Sequence, residues 1–384
     1  MIRYLIQRVV TGLILLFVFV SILFFAIQII LPGDFASQYA LALSPQQIEG
    51  LRTDLGLDLP LLERYLRWIG NLLRGDLGRS FTPYGEGPPV MEIILATLPA
   101  TLLVFGIGSV LAFSFGVWLG KVTAWKGPGL TSSLITFSSI AFYTSFPPWL
   151  AFLLIFLVAS RLNMPYLGLS SRIRDEAPDV ITSSMIFQMI GVLIIVMLVQ
   201  LVILYLMKRW VRWSIPAWLS MLMVAGIWFA SWYVIGIDKF AIEIIQRALL
   251  PIITYSLLSF GEMMLIMRTS MVDTLHEEFI QTARAKGLRD SQIRDRHAAR
   301  NALLPVASRM VISIPFLMSG MVMIERVLNW PGIGTSLFNA VGMQNMTLAL
   351  GLLIVIGLIA LLSRLILEVV QVLLDPRLRI QTEV

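Results

Sequence analysis

Cysteine is missing from all 384 residues, which excludes disulfides, thiolate metal sites and a cysteine nucleophile. Histidine is nearly missing as well. His276 and His297 are the whole supply, too few for a multi-histidine metal centre. Charge is scarce: Asp, Glu, Lys and Arg make up 14% of the chain, against about a quarter in soluble domains. A phosphate-cradling Walker A loop needs Gly, four residues, then Gly-Lys-Ser/Thr. Gly120-Lys121 is followed by Val122 and lacks the earlier glycine at that spacing. There is no Gly-x-Ser-x-Gly elbow and no His-Glu-x-x-His helix. The expectation is a chain with no catalytic residue, no metal and no cofactor of its own, whose energy source sits on another polypeptide. A reading as an intramembrane enzyme fails for want of a paired nucleophile and base.

What is present is apolar. Hydrophobic residues are 58% of the chain, so lipid is the solvent that such a composition requires. The net charge of +6 could suggest nucleic acid. The basic residues instead stand at the ends of apolar runs, which is the pattern that sets membrane topology, and no nucleic acid is expected. Val9 to Leu31 holds no charged residue and makes a helix of about 35 Å, enough to cross a ~30 Å hydrocarbon core. That run is too long for a signal-peptide core and lacks a small-residue cleavage site, so it reads as a retained anchor. Arg3 and Arg8 place the N-terminus in the cytoplasm. Residues 32–92 form a polar extracytoplasmic segment after the turn Leu31-Pro32-Gly33-Asp34. Ser44-Pro45 opens a helix there. Leu61 to Leu73 is amphipathic, with Tyr65, Trp68 and Ile69 on one stripe. That stripe suits the headgroup layer, a docked partner, or packing on the chain's own spans.

The runs continue in order. Ile93 to Gly120 is a second span, with Gly116 and Gly120 on a face that permits close helix packing. Leu130 to Ser160 is a third. Pro147-Pro148 should kink or break it, as a structural bend or as the wall of a pathway. Residues 161–184 are outside again. Met185 to Met207 and Trp213 to Ile237 make an extra pair around Lys208, Arg209 and Arg212. The pair has no ionisable residue in its apolar cores, which puts it at the lipid-facing periphery. Leu249 to Met271, Leu304 to Ile324 and Met346 to Leu374 complete about eight crossings. Both termini then lie inside, and every short Lys/Arg-rich connection falls on the cytoplasmic side. The fold class is all-α and polytopic. The segments are 1–31, 32–92, 93–184, 185–240 and 241–384, with a charged loop at 272–302.

Ionisable residues within spans fall only in the last three: Glu262, Arg268, Arg309, Arg364 and Glu368. A charge at mid-membrane costs about 2.5–3.5 kcal/mol on insertion scales. Most of these can snorkel to the cytoplasmic face, but Glu262 lies roughly midway along its span. It either faces a translocation pathway or partner subunit, or makes a structural hydrogen bond between helices.

The chain appears organised around residues 279–305, FIQTARAKGLRDSQIRDRHAARNALLP. Small residues and Gly287 let another surface come close, and Gly287 breaks the helical pattern into two short helices with a bend. Pro305 would mark the start of the next long helix. Taken alone, this could be an ordinary charged loop between spans. The strings Ala283-Arg284-Ala285-Lys286-Gly287 and Arg300-Asn301-Ala302-Leu303-Leu304-Pro305, however, resemble the EAA loop of ABC importer permeases of the dipeptide/oligopeptide group. Leu55-Gly56-Leu57-Asp58-Leu59-Pro60, Gly75-Asp76-Leu77-Gly78-Arg79-Ser80, the loop from Glu325 to Gly334 and Asp375-Pro376-Arg377 are similar to the same group. Gln281 stands where many relatives have Glu.

The resemblance implies a type I importer permease with a six-helix core in a prokaryotic inner membrane. It implies a second homologous permease subunit, two ABC ATPase subunits carrying ATP and Mg, and an extracytoplasmic solute-binding protein. The implied ATPase-coupling surface is Gln281, Thr282, Ala283, Arg284, Ala285, Lys286, Gly287, Leu288, Arg300 and Asn301. An ion-gradient secondary transporter is the alternative, because broken helices and a mid-membrane acid occur there too.

Overall fold

The computed structural model describes residues 2–30, 33–159, 179–210 and 217–374. The expected segment 161–178, Leu31, Pro32, Arg212 and the 375–377 ending lie outside the described residues. The first apolar run is helix α1 (Ile2–Ile30). The polar segment after it folds into a small lobe tied to α1. Its helix α2 (Pro45–Asp54) begins where expected: Gln47 N–H donates to Ser44 Oγ and Ser44 N–H donates to Gln47 Oε1 at 2.9 Å. This reciprocal box satisfies two of the donors that a helix start leaves free. Arg52 Nε donates to Asp34 at 2.8 Å and fixes α2 to the turn that follows α1.

Helix α3 (Leu61–Leu73) settles the alternatives left open for its aromatic stripe. Tyr65 and Trp68 pack on Phe24 of α1, with ring centroids 5.3 and 5.6 Å apart, and Tyr65 Oη donates to Ser21 at 2.8 Å. The stripe therefore packs on the chain's own first span. Leu62, Leu66 and Leu73 on α3 remain exposed. An antiparallel hairpin that the sequence reading did not anticipate follows, β1 (Arg79–Thr82) with β2 (Gly85–Pro89). Asn345 braces its edge: Phe81 N–H donates to Asn345 Oδ1 at 3.2 Å, and Asn345 Nδ2 donates to Phe81 O at 3.1 Å. One amide thus stands in for a third strand.

The membrane part is built on helix α4 (Val90–Lys126) lying against helix α9 (Asp238–Leu275). Small residues recur every fourth position on α4, at Gly108, Ala112, Gly116 and Gly120, and all are buried. A Cβ added at Gly116 would lie 2.8 Å from Phe260 O, and one at Gly120 would lie 2.6 Å from Met264 O. The two backbones therefore meet with no side chain between them, as the Gly116/Gly120 face suggested. Helix α5 (Leu130–Tyr143) packs on α9, and after three residues helix α6 (Pro147–Leu154) leaves at 108°. The break precedes the prolines. Pro147 and Pro148 occupy the first turn of α6, where the missing N–H costs nothing, with Phe146 as its N-cap.

Helices α7 (Asp179–Trp210) and α8 (Ala217–Ile235) pair with each other, α7 resting on α4 and α8 on α9. Trp228 Nε1 donates to Met189 O at 2.7 Å, and Gln200 Nε2 to Ser220 O at 2.8 Å. Helix α10 (Glu278–Ala285) and a short turn α11 (Asp290–Gln292) form the charged loop. Helices α12 (Ala299–Val327), α13 (Ile333–Gly342) and α14 (Met346–Leu374) follow. Five described helices are long and apolar enough to cross a membrane, six if α5 and α6 count as one broken span, and Leu222–Ile235 is a shorter apolar helix.

Gly120→Ala should split the α4–α9 contact and cost about 1–3 kcal/mol. Gly106→Ala, on the open side of the same helix with nothing within 4 Å of a Cβ, should cost nothing. Thermal unfolding of the detergent-purified protein compares them, and equal melting temperatures would refute the close-contact account.

Candidate functional site

The charged loop begins where α9 runs out of apolar sequence. Helix α10 is too short to be stable alone and is held by its buried side. Ile280 and Ala283 insert among Ala124 of α4, Met267 and Met271 of α9, and Ile293, Ala298 and Ala302 beyond the bend. The helix ends in a tight cap: Leu288 N–H donates to Ala283 O at 3.3 Å and Gly287 N–H to Arg284 O at 2.9 Å. That pairing needs a left-handed residue at Gly287, whose φ is +70°.

The bend therefore follows expectation, but its cause is conformational: among the described residues, none beyond its chain neighbours lies within 4 Å of a Cβ placed at Gly287. The second limb departs from the reading of two separate short helices. From Asp290 it runs through a wider, π-type turn (Ile293–Ala298) straight into α12. Pro305 consequently lies inside α12 rather than at its start, and Asn301 O loses its regular i+4 donor.

Of the residues assigned to the coupling surface, Gln281, Thr282, Arg284, Ala285, Lys286, Gly287, Leu288, Arg300 and Asn301 are exposed. Ala283 is not: it is 5% exposed and belongs to the loop's inner side. Spacing alone could not tell inward from outward positions on so short a helix. The loop has one further attachment, which the sequence reading missed. Lys121 Nζ at the end of α4 lies 2.8 Å from Asp295 Oδ1. Arg294 donates to the same carboxylate at 3.1 and 2.8 Å. Arg294 first, and then Lys121, hold the Asp295 acid well down, at about 2. Because the native state favours the ionised form, this contribution is fully present above the ordinary carboxylate range and is lost progressively as pH falls from there through about 2.

Glu262 is paired across helices. Arg309 Nε of α12 donates to Glu262 Oε1 at 2.6 Å, with the Glu262 side chain 13% and the Arg309 side chain 44% exposed. Two residues counted separately in the sequence thus neutralise each other. Asn301, Pro305 and Arg309, one turn apart, form an exposed stripe on α12 with a polar residue at each end.

At the opposite end of α12 sits a second polar node, in the loop from Glu325 to Gly334 that resembles the permease group's but to which the sequence reading assigned no polar network. Glu325 is fully buried. Its carboxylate accepts from Thr101 Oγ1 of α4 at 2.6 Å, from Gly334 N–H at 2.7 Å and from Thr335 N–H at 3.2 Å. Thr101 Oγ1 in turn accepts from Ile333 N–H at 2.8 Å. The node thereby satisfies the first N–H groups of the buried start of α13, which a helix leaves without partners of its own. Beside it Trp330, also fully buried, donates through Nε1 to Ala100 O at 3.1 Å. An acid at the end of an apolar run, followed by Trp-Pro-Gly-Ile-Gly, was the available signal. Among the described residues no group of three or more His, Cys, Asp or Glu side chains could hold a metal ion.

A bundle of apolar helices with a charged loop that packs inward through small apolar residues and leaves its polar ones exposed defines a polytopic membrane protein. Residues 116–380 match the family described as the binding-protein-dependent transport system inner membrane component, and residues 1–104 match the N-terminal membrane-component family of the same systems. The chain belongs to this family of inner membrane transport components. It is 28% identical over 384 residues to a Brucella ovis protein named as a peptide permease, covering 99% of this chain and 100% of the relative. It is 26% identical over 382 residues to the dipeptide transport system permease protein DppB of Escherichia coli K12, covering 99% of each. It is 25% identical over 387 residues to the oligopeptide transport system permease protein AppB of Bacillus subtilis, covering 98% of this chain and 99% of the relative.

Glu325→Ala should strand two buried backbone donors and cost about 2–4 kcal/mol. Thr101→Val, which removes both hydrogen bonds of the hydroxyl and keeps the volume, should cost about 1–3 kcal/mol. Thermal unfolding in detergent measures both, and a neutral Glu325→Ala would remove the node from any account of stability.

Proposed function

We propose that the chain is a transmembrane permease subunit of an ATP-driven, binding-protein-dependent importer of peptides. It forms half of a translocation pathway with a second homologous permease subunit. Two ABC ATPase subunits supply ATP and Mg, and an extracytoplasmic solute-binding protein delivers the substrate. The observation that carries the reading is the two-sided loop 272–302. Its inner side is buried against α4, α9 and α12, while Gln281, Arg284, Lys286 and Arg300 point outward unburied. A loop continuous with two membrane helices converts movement of whatever docks on it into tilting of those helices. Family membership supports a binding-protein-dependent system, and the names of the relatives support peptides as cargo. In this reading the chain makes eight crossings with both termini cytoplasmic, and α7 and α8 face lipid.

The exposed stripe Asn301, Pro305 and Arg309 supports a pathway or subunit contact beside the Glu262–Arg309 pair, because an exposed guanidinium at that depth is costly against lipid. The 108° break between α5 and α6 and this intramembrane pair also suit a gradient-driven carrier acting alone. Nucleotide dependence separates the two readings.

Ala285→Trp tests the docking surface better than a bulky residue at Gly287, because it adds volume on an exposed position without forcing the left-handed backbone. It should lower substrate-stimulated ATPase activity of the reconstituted complex at least about tenfold with membrane insertion unchanged. Full stimulation, or transport by the purified chain alone without nucleotide, would refute the reading. For the pair, Glu262→Gln should reduce transport, and Glu262→Gln with Arg309→Met should stay low if the pair serves the pathway. Recovery in the double variant would assign it to helix packing alone.

A further inference from the structure

Helix α12 is fastened to α4 at both ends by polar links, with the mid-helix contact of α4 given over to α9. At one end Asp295, in the turn that leads into α12, meets Lys121 at 2.8 Å. At the other end Glu325 meets Thr101 at 2.6 Å. Between Thr101 and Lys121, α4 has no proline and runs as one helix, a separation of about 30 Å at 1.5 Å per residue. Along that length its small-residue face lies directly on the α9 backbone, so α4 resists bending and moves as a rod. Beyond Glu325 hangs α13, whose first three N–H groups are held by Glu325 and Thr101. Phe338 and Val341 on α13 are exposed.

We infer that Lys121 is a positioning residue through which α4 follows the charged loop, and that α4 passes this displacement to α13 through the Thr101–Glu325 link. The inference rests on the docking reading of the loop and adds to it a third output, besides the two helices that the loop joins covalently. The chemistry of each link suits its place. Lys121 and Asp295 are 24% and 38% exposed, so this link is partly solvated and can re-form after a displacement. Glu325 is fully buried with its donors and does not exchange with water. Asp295 also keeps Arg294 when Lys121 is removed, so loss of Lys121 leaves no orphaned charge to unfold the loop.

The native absence of cysteine gives a clean test. Val341→Cys in the complex, reconstituted in nanodiscs with its ATPase subunits, is labelled with a maleimide in nucleotide-free and vanadate-trapped states. The labelling rate should differ between states by about fivefold. With Lys121→Met or Asp295→Asn added, that difference should vanish while the ATPase subunits still co-purify with the permease. Lys121→Asp combined with Asp295→Lys should restore it. An unchanged state dependence in Lys121→Met would overturn the inference and leave the docking reading standing. Loss of the ATPase subunits in Lys121→Met would overturn it too, by assigning the pair to docking itself. If the unaltered permease retains no ATPase subunits, the docking reading fails and this inference fails with it.

Discussion

Everything in the membrane part depends on the backbone of α4 touching the backbone of α9. In lipid the hydrophobic effect gives two helices no reason to associate, so contact must come from close packing. Gly108, Ala112, Gly116 and Gly120 supply a groove deep enough for Tyr255, Met263 and Met267 to sit against bare main chain. A pair packed that tightly resists bending of either helix. It sets the frame on which α5 leans from one side, α7 and α8 from another, and the charged loop from its end.

The polar residues then divide by burial. Glu325 has traded water for three donors, one hydroxyl and two amides, and such a buried node holds one geometry because any shift strands a charged or polar atom. Lys121–Asp295 and Glu262–Arg309 are partly open. Partly solvated pairs are weaker and re-form readily. The Glu325 end of α12 is accordingly the fixed end, and the end carrying the charged loop is the one that can give. Under the proposed coupling role that is the workable order: a compliant input and a firm output.

Much of this could be read from the chain. The long apolar runs, the Ser44 helix start, the proline-marked break near Pro147, the Gly116/Gly120 face and the bend at Gly287 each follow from a local rule, and each local rule was obeyed. What escaped required partners far apart in sequence. Nothing near Lys121 names Asp295, and nothing near Thr101 names Glu325. The hairpin at 79–89 has too few residues to show an alternating pattern, and its edge is completed by Asn345 from another segment. Pro305 was misplaced because proline starts helices more often than it sits inside them. Here the π-type turn upstream had already begun α12, and α9 and α10 packed around it hold the helix despite the missing donor. Ala283 was assigned to the outer surface because it is small, whereas smallness serves equally to let α10 press inward on Ala124 and Ile293.

The same frame seats the helix pair α7 and α8. The buried residues of α7 and α8, Ile186, Met189, Trp228 and Trp232, share one core with Ala100, Leu103 and Val104 of α4 and with Leu328 and Trp330. That core lies at the end of α4 where Glu325 closes the start of α13. The core beneath the charged loop, built from Ala124, Ile280, Ile293 and their neighbours, takes no described residue from α7 or α8. The pair therefore adds mass and apolar burial where the structure is already rigid, and leaves the compliant end unencumbered. Had it packed on Ala124 or Trp125 instead, it would have tied the loop to two more helices and stiffened the end of α12 whose polar pairs are partly open to solvent.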